Sequence, residues 1–164
     1  MQGITLRSAT PEDFESICSL NSTAVQHTSA MDLVRLTALD GLSCYHQVAC
    51  VDGRIAAFLL AMRNDAAYDS ENFAWFARRY PSFVYVDRIV VAAPFRGLHL
   101  ASLLYEDLFR YARMDGIPWV TCEYNLVPPN EPSRQFHAKF GFGEQGTQWV
   151  ANGSKQVSLQ MAPT

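Results

Sequence analysis

Charge is scarce in this sequence: Asp, Glu, Lys and Arg make up 18% of its 164 residues, and 13 basic against 16 acidic side chains leave a net charge of −3. Without a basic excess there is no field to hold a phosphate polymer or an anionic bilayer, so neither a nucleic-acid nor a membrane partner is expected. No run approaches the roughly 20 apolar residues of a membrane span, and Met1 to Arg7 does not open a basic-then-apolar targeting signal. A soluble, cytoplasmic protein is the expectation. The four cysteines, Cys18, Cys44, Cys50 and Cys122, lack C-x-x-C or Cys/His spacing, so neither a metal site nor a disulfide framework is indicated. Also missing are G-x-x-x-x-G-K-[ST] and G-x-G-x-x-G, the two glycine-rich nucleotide motifs. There are no repeats, linkers or low-complexity tracts, and with 49% apolar residues the chain reads as a single domain over 1–164.

What is present is an alternation of strand and helix signals. Gly3 to Ser8 reads as a strand, and Thr10-Pro11-Glu12-Asp13 as a helix start with a capping hydroxyl, an early proline and acids at the positive end of the helix. Phe14, Ile17, Cys18 and Leu20 supply that helix with an apolar face; Leu33, Leu36, Thr37 and Leu42 mark a second, which Gly41 is expected to interrupt. Cys44–Val51 and Arg54–Met62 are strand-like and flank Asp52-Gly53, a two-residue hairpin signal. Arg63 to Ser82 reads as a loop with short helical pieces, Phe83–Val91 as a strand, Gly97–Asp115 as a long amphipathic helix and Pro118–Tyr124 as a short strand. Pro128-Pro129-Asn130 caps a helix over Glu131–Phe140, and Gln148–Ala151 with Lys155–Met161 closes the chain as a hairpin. The order predicts an α/β fold with crossover helices on the faces of a sheet.

The chemistry concentrates after Val86. A buried strand, a turn holding Arg96 and Gly97, and the start of a long helix bring a cation, free N–H groups and the helix dipole to one place, which suits a pyrophosphate. Two acids stand on strands nearby in sequence, Asp87 and Glu123; an unpartnered buried carboxylate is costly, so each calls for a partner or a chemical role.

Three blocks between Ser82 and Phe142 resemble the GNAT superfamily of acetyl-CoA-dependent N-acetyltransferases. Arg96-Gly97-Leu98-His99-Leu100-Ala101 is similar to the family's [R/Q]-x-x-G-x-[G/A], with His99 in place of the middle glycine; Thr121-Cys122-Glu123-Tyr124-Asn125 resembles the strand that splays to admit pantetheine. Asn130, Ser133, Phe136-His137 and Gly141-Phe142 follow the N-x-x-[AS]-x-x-[LF]-Y-x-x-x-G-F signature, with His137 where a tyrosine is usual. The resemblance implies a GNAT fold with a twisted mixed sheet of six to seven strands and about four helices. It implies acetyl transfer to a primary amine by direct attack, with Glu123 as base, Asp87 as the alternative base, and His137 as proton donor to the sulfur. Acetyl-CoA would pair with Ile89, Val90 and Val91, its pyrophosphate would sit on Arg96, Gly97, Leu98, His99, Leu100 and Ala101, and Asn130, Ser133 and Phe136 would complete its site. His99 must then point away or itself donate to phosphate. The acceptor, a small molecule or a peptide, is not named by these residues; a homodimer is also compatible with the resemblance.

Plainer readings stand beside these. Glu123 could pair with Arg88 or Lys139, Asp87 could be a salt-bridge acid or a ligand for the substrate amine, and His137 could simply pack between Phe136 and Phe140. Tyr68, Phe73 and Trp75, with Phe76, are either core or a substrate mouth whose acids Asp65, Asp69 and Glu71 attract a cationic amine. A thiol nucleophile at Cys122 is disfavoured, since Glu123 beside it faces the other way. At the level of the whole chain the alternatives are a non-catalytic acyl-CoA-binding or regulatory domain of the same fold, and a structural or interaction module.

Overall fold

The computed structural model describes residues 3–25 and 28–164; Met1 and Gln2, part of the stretch read for a targeting signal, lie outside them. Seven strands form one mixed sheet: β1 (Ile4–Ser8), β2 (Tyr45–Val51), β3 (Arg54–Arg63), β4 (Val84–Val91), β5 (Trp119–Val127), β6 (Gly143–Val150) and β7 (Lys155–Pro163), in the order β1-β2-β3-β4-β5-β7-β6. The helices are α1 (Phe14–Ser22), α2 (Leu33–Leu42), α3 (Glu71–Ala77), α4 (Leu100–Met114) and α5 (Glu131–Lys139). Among the described residues there are thus five helices rather than about four; the short α3 lies in the stretch read as a loop with helical pieces, and Ser70 caps it by accepting from the Phe73 N–H at 3.3 Å. By contacts the chain divides into two compact units, Met1–Met62 with Val86–Arg110, and Arg63–Tyr85 with Tyr111–Thr164.

In the first unit, β1 pairs antiparallel with β2, and β2 turns into β3 through Asp52 (φ 50°) and Gly53 (φ 81°), the double left-handed turn that suits the strand twist. Ala56 through Met62 are all fully buried, so β3 is covered on both faces. The first helix is entered through a 3-10 turn over Pro11–Asp13, where the Asp13 carboxylate accepts from the Thr10 N–H at 2.8 Å and from Arg7 at 2.7 and 2.9 Å. Those bonds from Arg7, against a smaller opposing effect of burial, hold the Asp13 carboxyl at about 2. Asp32 caps α2 by accepting from the Arg35 N–H at 2.8 Å, and α2 runs through Gly41 to Leu42. Gly41 therefore does not interrupt it; glycine weakens a helix by about 1 kcal/mol, which burial of Leu36 and Leu39 outweighs.

In the second unit, β7 lies between β5 and β6 in antiparallel ladders, and β5 runs on past Tyr124 to Val127. Its parallel ladder to β4 has the rungs Val84↔Val120 and Tyr85↔Thr121. Strand alternation puts Thr121, Glu123 and Asn125 on one face of β5, and Cys122 and Tyr124 on the other. α3 packs on the first face: a Cβ on Gly146 of β6 would stand 2.6 Å from Trp75 Cζ2, and Gln148 Nε2 donates to Asn72 Oδ1 at 3.0 Å. Only glycine lets the indole approach so closely. α5 is capped by Asn130, whose side chain accepts from the Ser133 N–H at 3.4 Å.

Candidate active site

The turn before α4 is tighter than the sequence suggests. Gly97 (φ 91°) and His99 (φ 59°) both take left-handed conformations, so the helix starts at Leu100 rather than Gly97, and the Leu103 N–H donates to the His99 carbonyl at 3.0 Å. A histidine at such a φ is uncommon, and it reproduces the backbone path for which a glycine is the ordinary choice. Arg96 and His99 are exposed, and the space beside Gly97 is open, with nothing within 4 Å of where a Cβ would stand. N–H groups of the first α4 turn have no partner within the helix itself, so free donors and the positive end of the helix dipole stand next to the exposed Arg96 in sequence. This donor set fits a pyrophosphate.

Asp87 and Arg88, neighbours on β4, form a buried ion pair: Arg88 Nε donates to Asp87 Oδ2 at 2.7 Å, with side chains 3% and 5% exposed. Arg88 also donates to Asn21 Oδ1 (3.2 Å), the Ser29 carbonyl (3.0 Å) and Ser29 Oγ (3.0 Å), tying the chain that follows α1 to the strand. The salt bridge considered for Arg88 and Glu123 is thus formed with Asp87 instead.

Glu123, half-buried on β5, has a different partner. Tyr85 Oη lies 2.9 Å from Oε1 and 2.8 Å from Oε2, so the phenol donates to the carboxylate. Tyr85 is 1% exposed and its ring contacts Phe73 edge-on at 5.6 Å, Phe76 at 6.2 Å and the half-buried Tyr68 at 6.4 Å. Of the residues expected to meet substrate, Phe73 is core, and Trp75 lies between Gly146 and the Arg79 guanidinium, 3.9 Å from its ring centre. Tyr68 alone of the three has its ring beside the Tyr85–Glu123 pair while remaining partly exposed.

His137 on α5 is 4% exposed and surrounded by the rings of Tyr124, Phe136 and Phe142 at 5.2–5.8 Å. Its Nδ1 stands 2.7 Å from the Ser133 carbonyl, an acceptor only, so Nδ1 carries the hydrogen. Burial pushes the imidazole below its usual titration range, with the Ser133 bond opposing. Asn130 and Ser133 serve α5 as cap and histidine partner, and the Phe136 ring packs tilted against Phe140 at 5.2 Å.

The sequence reading missed Tyr85 and the Asn21–Ser29 grip on Arg88. Neither has a local motif; the one signal is the oddity of a tyrosine and an arginine in an apolar strand. Among the described residues no group of three or more His, Cys, Asp or Glu could hold a metal, and no helix is long and apolar enough to cross a membrane.

No curated protein sequence matches the chain. Among solved structures it is similar to Ard1 from Thermoplasma volcanium (TM-score 0.78, 17% identity, 98% of this chain and 97% of that one). It is also similar to the ribosomal-protein-S18-alanine N-acetyltransferase of Escherichia coli (0.75, 13%, 98% and 94%) and to yncA of Salmonella typhimurium, solved with its cofactor acetyl-CoA (0.72, 19%, 98% and 94%). At these identities the likeness is one of fold. The sequence profile of the Acetyltransferase (GNAT) family matches residues 11–142, a span that holds the Arg96–Ala101 turn, Glu123 and α5, and the chain belongs to that family.

Proposed function

We propose that this protein transfers an acetyl group from acetyl-CoA to a primary amine, with Glu123 as the base. The observation that carries the reading is the half-buried Glu123 carboxylate, held through both oxygens by Tyr85 beside a partly exposed aromatic ring. When bound, acetyl-CoA supplies a thioester: the amine nitrogen bonds to its carbonyl carbon, the carbon–sulfur bond breaks, and the proton lost by nitrogen ends on the free thiol. Arg96 and the N–H groups that open α4, after the left-handed turn at Gly97 and His99, would hold the pyrophosphate. Backbone groups of Ile89 to Val91 hold the pantetheine amides. Glu123 takes the proton from the amine, directly or through one water, and the partly exposed Tyr68 ring, which contacts Tyr85, meets the substrate.

For Asp87 the buried pair with Arg88 supports a structural role, because the same guanidinium also bonds Asn21 and Ser29 and so joins the acid to the chain that follows α1. For His137, the commitment of the Nδ1 hydrogen to Ser133 and the lowered titration range support packing over donation to sulfur. The acceptor class favoured by the fold likeness is a peptide N-terminal amine, since the Escherichia coli neighbour is an alanine N-acetyltransferase of a ribosomal protein.

The test has two parts: calorimetric titration with acetyl-CoA, then release of free thiol with peptides bearing a free N-terminus, the same peptides N-blocked, and small amines. Binding with turnover on free amines is expected. Binding without turnover on any amine would make this a non-catalytic acyl-CoA-binding domain, and no binding would make it an interaction module.

A further inference from the structure

We propose that Tyr85 is a positioning residue for Glu123, its hydroxyl fixing the orientation from which the carboxylate takes the proton of the amine. The inference rests on Glu123 being the base and adds to it a residue outside the family-like blocks that carried the sequence reading.

The phenol oxygen is nearly equidistant from the two carboxylate oxygens, 2.9 and 2.8 Å, so its hydrogen is shared between them and the carboxyl group is pinned about its last torsion. That torsion is otherwise broad in glutamate. The holder is itself fixed: Tyr85 pairs with Thr121 in the parallel ladder, two residues from Glu123 on the same face of β5. Its ring is held at 5.6 Å by Phe73 and 6.2 Å by Phe76. Those two buried neighbours are phenylalanines, so packing alone would be served by a phenylalanine at 85 as well. The hydroxyl is what distinguishes Tyr85, and a phenol buried to 1% exposure needs a hydrogen-bond partner. It is aimed at the one acid that the chemistry uses. A proton acceptor must stay within hydrogen-bond reach of the proton it takes, and small misplacements are expensive in rate.

The experiment compares wild type, Tyr85→Phe, Glu123→Gln and the double variant, reading kcat, the KM for the amine, the acetyl-CoA Kd and the thermal midpoint. Tyr85→Phe should lower kcat about 10- to 100-fold, the range of one lost charge-assisted hydrogen bond, while the acetyl-CoA Kd stays within about twofold. In the Glu123→Gln background the same substitution should cost nothing further. An equal loss in both backgrounds, or none in wild type, overturns the inference. Full activity in Glu123→Gln would instead bring down the assignment of the base, and the positioning role with it.

A readout independent of turnover uses chains carrying carbon-13 at the glutamate carboxyl, with the Glu123 resonance identified by its loss in Glu123→Gln. It should move in Tyr85→Phe. In the otherwise unmodified chain it should show an isotope shift between H2O and D2O, reporting the shared hydroxyl proton without relying on the folding of a Tyr85 variant. A signal indifferent to both changes rules out the shared hydrogen bond.

Discussion

Asp87 and Glu123 are both strand acids, one in each compact unit, and their surroundings differ in kind. Asp87 is met by a full positive charge: Arg88, itself buried, bonds it at 2.7 Å and spends its other donors on Asn21 and Ser29. Glu123 is met by a neutral hydroxyl that orients it. An ion pair taken out of water is stiff, because removing either partner strands a buried charge, whereas a phenol offers a carboxylate a neutral donor. The two acids thus differ in the charge of the partner that these bonds give them.

The largest effect should come from the stiff side. Arg88→Met leaves Asp87 buried without its cation and should cost about 3–5 kcal/mol of stability, read as a lower urea midpoint. Asp87→Asn should also lower the midpoint, whereas Glu123→Gln should leave it nearly unchanged; a reversed order would dissolve the distinction. On the chemical side, Glu123→Gln should reduce turnover about 10²- to 10⁴-fold with acetyl-CoA affinity retained. If Asp87→Asn kept its stability and lost turnover instead, the two acids would trade roles. Smaller in effect, Arg96→Ala should weaken acetyl-CoA binding by roughly 1.5–3 kcal/mol through one lost charge-assisted contact, and calorimetry that shows unchanged affinity would move the phosphate away from this turn.

The smallest effects are in pH. Burial holds His46 and His137 below their usual range, in His46 against the opposing pull of Asp40 at 2.7 Å. The unfolded chain takes up these protons near pH 6.5 and the folded one later, so both groups favour the fold above that pH and the benefit fades as pH drops. Urea midpoints between pH 7.5 and 5.5 should fall, less steeply in His137→Phe. Asp13, at about 2 in the fold through Arg7, gives stability that is present at neutral pH and lost on acidification from about 4 towards 2. Equal slopes in Arg7→Met and wild type over that range would deny the pair its role.

Much of the fold was legible because its signals are local. Asp52-Gly53 specifies its turn through two residues that tolerate positive φ, Asn130 caps α5 three residues from its partner, and the apolar run of β3 announces a strand covered on both faces. Where a local rule failed, a tertiary gain had outweighed it: Gly41 stays helical because α2 buries Leu36 and Leu39. His99 shows the limit from the other side, since its identity hides the left-handed turn that its φ reveals.

The sequence by itself determined that a turn holding Arg96 and Gly97 leads into α4, that Glu123 and Asp87 sit on strands, and that His137 lies on a helix between aromatic residues. Only the tertiary structure decided whom each acid meets. Tyr85 and Glu123 are 38 residues apart, and Arg88 and Asn21 are 67 apart. Such pairs are chosen by strand register and by which element folds over which face, quantities to which no single segment of the chain is sensitive.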